Sequence, residues 1–151
     1  VKSHAEHGIA IDASLWLTTL TATLPNRNTP PDIRKDSQAI LALLESRPDI
    51  DCLFAAEYNI ALLAAEAVKA RGLRIPEDIS LVCFDSPRNF MREYTFTHLR
   101  QRETDMGGHA VRLLLGQIGN TAAPIEALFQ EADLIMGNST RNRTTGEGES
   151  R

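Results

Sequence analysis

Two spacings of apolar residues alternate along this chain, and they are clearest between Cys52 and Pro87. Ile79 to Phe84 is a short apolar run centred on Val82, launched by Pro76 and stopped by Asp85-Ser86-Pro87, which predicts a strand buried on both faces. Upstream, Asn59 to Arg71 is rich in Ala and Leu and closes on Gly72, the pattern of a helix with a glycine stop. Before it, Cys52 to Ala56 is a second apolar run. Strand, helix and strand in this order predict a right-handed βαβ unit and a parallel sheet. Ligands of open α/β sheets gather at the carboxyl ends of strands, where this unit carries Glu57-Tyr58 and Asp85-Ser86.

Around the unit the pattern is less regular. Lys2 to His7, closed by Gly8, reads as the last turn of a helix that begins upstream, so the sequence is expected to lie inside a longer protein. Leu15 to Leu20 is expected to be a strand with Trp16 packed in it. Thr21 to Ile33 holds Pro25, Pro30 and Pro31 and reads as a loop. From Asp36, the positions Ile40, Leu41, Leu43 and Leu44 share a helical face that ends at Pro48 and is expected to cover the sheet. Thr97 to Gln101 is a strand or a crossing linker. Thr104 to Ile118 carries Met106, Val111, Leu114, Leu115 and Ile118 on one side, so it reads as an amphipathic helix. Those five side chains should pack on the chain's own sheet or on a second copy, the second being favoured because the sheet already has helices to cover it. Ala127 to Met136 offers one or two short strands, and Asn142 to Arg151 has no apolar residue and is expected to be disordered.

Composition changes this picture little. With 151 residues, 42% hydrophobic and 24% charged, the chain is long enough to bury one core. Its net charge of -4 argues against a nucleic-acid surface, which needs clustered Lys and Arg to neutralise phosphates. Cys52 and Cys83 fall in neighbouring predicted strands and read as buried free thiols of a reducing compartment. A cytoplasmic location is expected, with no membrane partner. The sequons at Asn138 and Asn142 read as chance matches.

Reactive chemistry has few candidates. The glycines form neither a dinucleotide nor a triphosphate loop, and no Ser sits in a G-x-S-x-G turn. Of the four histidines, His4 and His7 share a frayed helix end and His98 and His109 have no carboxylate or cysteine at ligand spacing, so no metal and no cofactor are expected. Asp85 at a strand end could be a nucleophile or metal ligand in a small α/β enzyme, but no second carboxylate stands immediately beside it. It could equally cap the turn before Pro87, and Glu57 could simply favour a helix N-terminus.

Residues Asp49 to Gln101 resemble the effector-binding domain of the lactose and galactose repressor family. The resemblance is carried by the strand ending Ala55-Ala56, the helix with Ile60-Ala61-Leu62, the turn Arg71-Gly72-Leu73-Arg74-Ile75-Pro76-Glu77-Asp78-Ile79-Ser80, the strand end Phe84-Asp85 and Thr97-x-x-Arg-Gln. Met106-Gly107 and Gly137-Asn138-Ser139-Thr140-Arg141 add to it. Such domains also stand behind winged-helix heads of the gluconate-repressor kind. The resemblance implies an α/β fold of the type I periplasmic-binding-protein kind, a three-layer parallel sheet with flanking helices, present only in part and mainly as the C-terminal subdomain. Residues 1–101 would be that subdomain. Residues 102–136 would cross toward a first subdomain outside this sequence, and 137–151 would form a terminal segment with a disordered tail.

The resemblance also implies roles. Asp85 stands where the family's effector-binding acid follows the second strand, Gln101 where the crossing strand carries a glutamine near the effector, and Glu57-Tyr58 where a polar pair, often Asn-Asp, faces the cleft. Tyr58 or Phe84 could offer a sugar ring an apolar face. A carboxylate accepting from two adjacent hydroxyls gives charge-assisted bonds a neutral group cannot equal. Leu63 and Cys83 replace glycines of many members, as packing changes. The expectation is therefore the effector-sensing part of a homodimeric bacterial transcription regulator that binds a small polar molecule, a sugar or sugar derivative. DNA would be met only through a head outside this sequence, and no catalytic residue is expected. The rivals are a small enzyme using Asp85 and a sugar-transport protein of the same fold.

Overall fold

The computed structural model describes residues 6–21, 29–85, 95–118 and 127–142. Its regular elements are α1 (Pro30–Ser46), β1 (Cys52–Ala55), α2 (Tyr58–Ala70), β2 (Ser80–Phe84), β3 (Thr97–Arg100), α3 (Glu103–Gln117) and β4 (Asp133–Ile135), preceded by a 3-10 turn at Ala13–Leu15. The strands form one sheet in the order β1-β2-β3-β4. β1 lies parallel to β2 and β2 parallel to β3, whereas β4 runs antiparallel to β3. The expected parallel sheet is thus mixed at one edge.

The βαβ unit forms as the spacing predicts. Helix α2 stops at Gly72, which has a φ of 70°. The Gly72 N–H donates to Lys69 O at 2.9 Å and the Leu73 N–H to Val68 O at 3.1 Å, the paired bonds that satisfy the last carbonyls of a helix around a left-handed glycine. The face of α2 carrying Ala61, Ala64, Ala65 and Val68 is buried, and it packs with Ala55, Leu81, Cys83 and, from α1, Ile40 and Leu44 into one core. Helix α2 packs on β1 and β2, and α1 packs on α2. β2 alternates between fully buried Leu81 and Cys83 and half-buried Ser80, Val82 and Phe84, so it is not buried on both faces as predicted. Phe54 and Leu134 are 62% and 59% exposed. By the same alternation Cys52 is exposed and Cys83 buried, which corrects the expectation of two buried thiols.

Three readings of the N-terminal third are also corrected. Helix α1 begins at Pro30 rather than near Asp36, because proline suits the first helical turn, whose N–H groups have no intrahelical acceptor. Thr29 is the cap residue and Asp32 supplies first-turn negative charge. Leu15 to Leu20 contains no strand. Asp12 Oδ1 accepts from the Ser14 N–H at 2.9 Å and from its Oγ at 2.6 Å, a local turn that competes with extended pairing. Trp16 is 47% exposed, not packed. Asp36 is 1% exposed and accepts from the Thr21 N–H at 2.6 Å, which ties the segment before α1 to the core.

Helix α3 buries none of its residues, so its apolar stripe does not pack on the chain's own sheet. After β4 the chain stays against the sheet. The first part of segment 137–151 is packed, not free: Ser139 is fully buried. Its Oγ accepts from the Thr97 N–H at 2.9 Å and donates to Leu81 O, and its carbonyl accepts from the Leu81 N–H at 2.8 Å. Asn138 exchanges both backbone and side-chain bonds with Thr95. A Cβ on Gly137 would lie 1.8 Å from Thr95 O, so only glycine allows this approach. The sequon at Asn138 is therefore part of the fold. Arg88 to Tyr94, residues 119–126 and the expected tail from 143 lie outside the described residues.

Candidate functional site

The site begins where β2 ends. Asp85 has a φ of 75°, a left-handed conformation that an aspartate tolerates better than most residues. Its N–H donates to Leu99 O of β3 at 3.1 Å, and this turn directs its carboxylate to the chain that follows β3. There Gln101 Nε2 donates to Asp85 Oδ1 at 2.6 Å. One lone pair of the acid is taken by a neutral amide, and both groups are only half-buried. A carboxyl group has acceptor sites beyond the one Gln101 takes, suited to hydroxyl donors.

Phe84 and Gln101 form one wall of a recess of about 290 Å³, and Met106 and His109 of α3 with Leu128 and Gln130 form the other. Gln130 keeps its Oε1 buried with no hydrogen-bond partner among the described residues, an acceptor open to a donor brought by a ligand. Arg102 also borders the recess, but its guanidinium is committed to Asp133 at 2.6 Å. Among the described residues, no cluster of three or more His, Cys, Asp or Glu could hold a metal.

The structure brings together Asp85, Gln101 and Phe84. Glu57 and Tyr58 stand one strand away at the same sheet edge: Ala55 is in register with Cys83, so Glu57 follows β1 as Asp85 follows β2. Glu57 is the cap residue of α2 with an extended backbone and makes no side-chain capping bond, which leaves its carboxylate out of the helix's own hydrogen bonding. Tyr58 turns inward. Its ring lies 5.5 Å from that of Phe96, tilted by 57°, and Phe96 is fully buried, so the tyrosine face is partly spent on packing. Sequence reasoning missed His109, Gln130 and the Asp133 pairing. The amphipathic spacing of α3 marked its apolar stripe, but nothing marked which residues would border a recess.

The sequence matches the family described as periplasmic binding protein-like domain over residues 5–140. The transcriptional regulator CelR of Thermobifida fusca is 35% identical over 103 residues, 67% of this chain and 30% of that protein. The ribose operon repressor of Halalkalibacterium halodurans is 40% identical over 78 residues, 51% of this chain and 24% of that protein. A solved complex of the regulator CelR with cellobiose superposes with a TM-score of 0.70 at 25% identity, over 91% of this chain and 39% of that one. The chain therefore spans less than a third of the length of these curated relatives.

Proposed function

Because this chain belongs to the periplasmic binding protein-like domain family, in the form carried by lactose- and galactose-type repressors, we propose that it is part of the effector-sensing domain of a bacterial transcription regulator. Its ligand is a small polar molecule of the sugar class, held between two subdomains whose closure reports occupancy. The observation that carries this reading is the Asp85 carboxylate, turned out of β2 by its left-handed backbone and met by Gln101 beside the recess. Asp85 and Gln101 take ligand hydroxyls, Phe84 offers an apolar face to a ring, and Glu57 and Tyr58 flank the cleft one strand away. A cellobiose complex and a ribose operon repressor among the similar proteins support the sugar class.

Residues 1–101 act as the C-terminal subdomain, 102–136 as the crossing segment that reaches toward a first subdomain, and 137–151 as the terminal segment. DNA is met through a separate head, the protein works as a cytoplasmic homodimer, and it performs no catalysis. Isothermal titration with cellobiose, ribose and arabinose tests the reading. The 151-residue chain should bind these weakly at best, since half of the cleft wall belongs to the first subdomain. In a protein holding the whole effector domain, Asp85→Asn should lower affinity by about 1.5 to 3 kcal/mol, the scale of a charged hydrogen bond, with DNA binding intact. Unchanged affinity in that variant, or turnover of any of these sugars, would count against it.

A further inference from the structure

The chain leaves the sheet at Arg100 to Arg102 and comes back at Asp133, and the arm that follows the departure is helix α3, which buries no residue. A single carboxylate spans departure and return. Arg100 Nη2 is 3.1 Å from Asp133 Oδ2, and Arg102 approaches Asp133 Oδ1 with Nη2 at 2.6 Å and Nε at 3.3 Å. Arg100 is the register partner of Asp133 across β3 and β4, and Arg102 is the cap residue of α3. One acid thus grips the end of a strand and the start of the helix that follows.

We propose that Asp133 is a latch that fixes the angle between the arm and the sheet, and with it the width of the recess beside Asp85. The guanidinium fork holds a carboxylate in a defined plane, so pairing at two arginines restrains direction as well as distance. Exposed ion pairs contribute little to global folding. An arm without buried helix residues has few other contacts to set its angle, so a small bias is decisive there. The recess has Phe84 and Gln101 on the sheet side of this junction and Met106, His109, Leu128 and Gln130 on the arm side. Any swing at the junction changes the spacing of those walls. Arg102 is accordingly a positioning residue, held away from a ligand by Asp133.

The test is a distance measurement on the 151-residue chain without sugar. Exposed Cys52 takes one nitroxide label and Arg112→Cys on α3 takes the other, while buried Cys83 stays unlabelled. Dilution with unlabelled chain removes distances between copies. With Asp133 intact the pulsed-dipolar distance distribution should be narrow. In Asp133→Ala the population at displaced distances should rise about fivefold. Arg102→Gln, which leaves the β3–β4 ladder untouched, should broaden it in the same way if Asp133→Ala fails to fold. Asp78→Ala breaks a comparable pair with Arg74 far along the chain and should leave the distribution unchanged. An unaltered distribution in both junction variants, or equal broadening in Asp78→Ala, overturns the latch. The proposal draws on the effector reading only for what the recess does. Unchanged sugar affinity of Asp85→Asn in a protein holding the whole effector domain would refute that reading and leave the latch standing.

Discussion

Removing one oxygen at Ser139 tests how the returning segment is riveted to the sheet. In Ser139→Ala the Thr97 N–H loses its acceptor, and Thr97 itself is 3% exposed, so water cannot readily replace the bond. An orphaned buried donor costs roughly 1 to 3 kcal/mol, and losing the hydroxyl bond to Leu81 O adds about 0.5 to 1.5 kcal/mol. The Leu81 N–H bond to the Ser139 carbonyl survives, since it is backbone to backbone. The expected loss is therefore about 1.5 to 4.5 kcal/mol, which at this chain length lowers the melting temperature by about 3 to 18 °C. Urea unfolding followed by circular dichroism reads it directly, with the m-value checked for constancy. A loss under about 1 kcal/mol would mean that Thr97 finds another acceptor and that Ser139 is not the rivet.

Gly137→Ala should destabilise because its methyl meets the Thr95 backbone. Gly116→Ala, in open space on α3, should instead stabilise by about 0.5 to 1 kcal/mol, and thermal melts of the pair compare the two. Burial pushes the Cys83 thiol up to about 11 from 9.0. Its folded pKa lies above the unfolded one, so this contribution to stability is complete below pH 9 and is lost as pH rises through about 11. Iodoacetamide at pH 8 should accordingly modify Cys52 well before Cys83, as mass spectrometry would show. The α3 stripe, with Leu114 and Leu115 60% and 63% exposed, should drive self-association, each buried leucine contributing about 1.5 to 3 kcal/mol. Light scattering over a dilution series should reveal dimers that Leu114→Glu abolishes, and a strict monomer at every concentration would refute this.

The βαβ unit was legible because independent signals agree on it: the short run to Phe84, the alanine-rich helix and the stop at Gly72 each demand the same chain path. Asp85 was legible as the polar residue closing a buried strand. Pro30 and Pro31 misled because proline is read as a breaker, although the first helical turn accepts it. Leu15 to Leu20 misled because an apolar run says nothing about whether a partner strand stands beside it. The same limit hides the Asp133 pairing and the Ser139 rivet. Both depend on register between segments more than thirty residues apart, which no local period encodes. Cys52 and Cys83 looked alike until the sheet's one-sided cover separated them.

The left-handed backbone of Asp85 has a practical outcome for anyone evolving this chain in the laboratory. Glycine adopts a φ of 75° without the clash a Cβ brings, so Asp85→Gly should relieve the turn. A library sorted only for heat resistance or expression would therefore enrich that change, and winners would be sturdier chains stripped of the carboxylate. Stability gained by such sorting would be a poor proxy for sensing, and position 85 is the one to hold fixed before diversification starts.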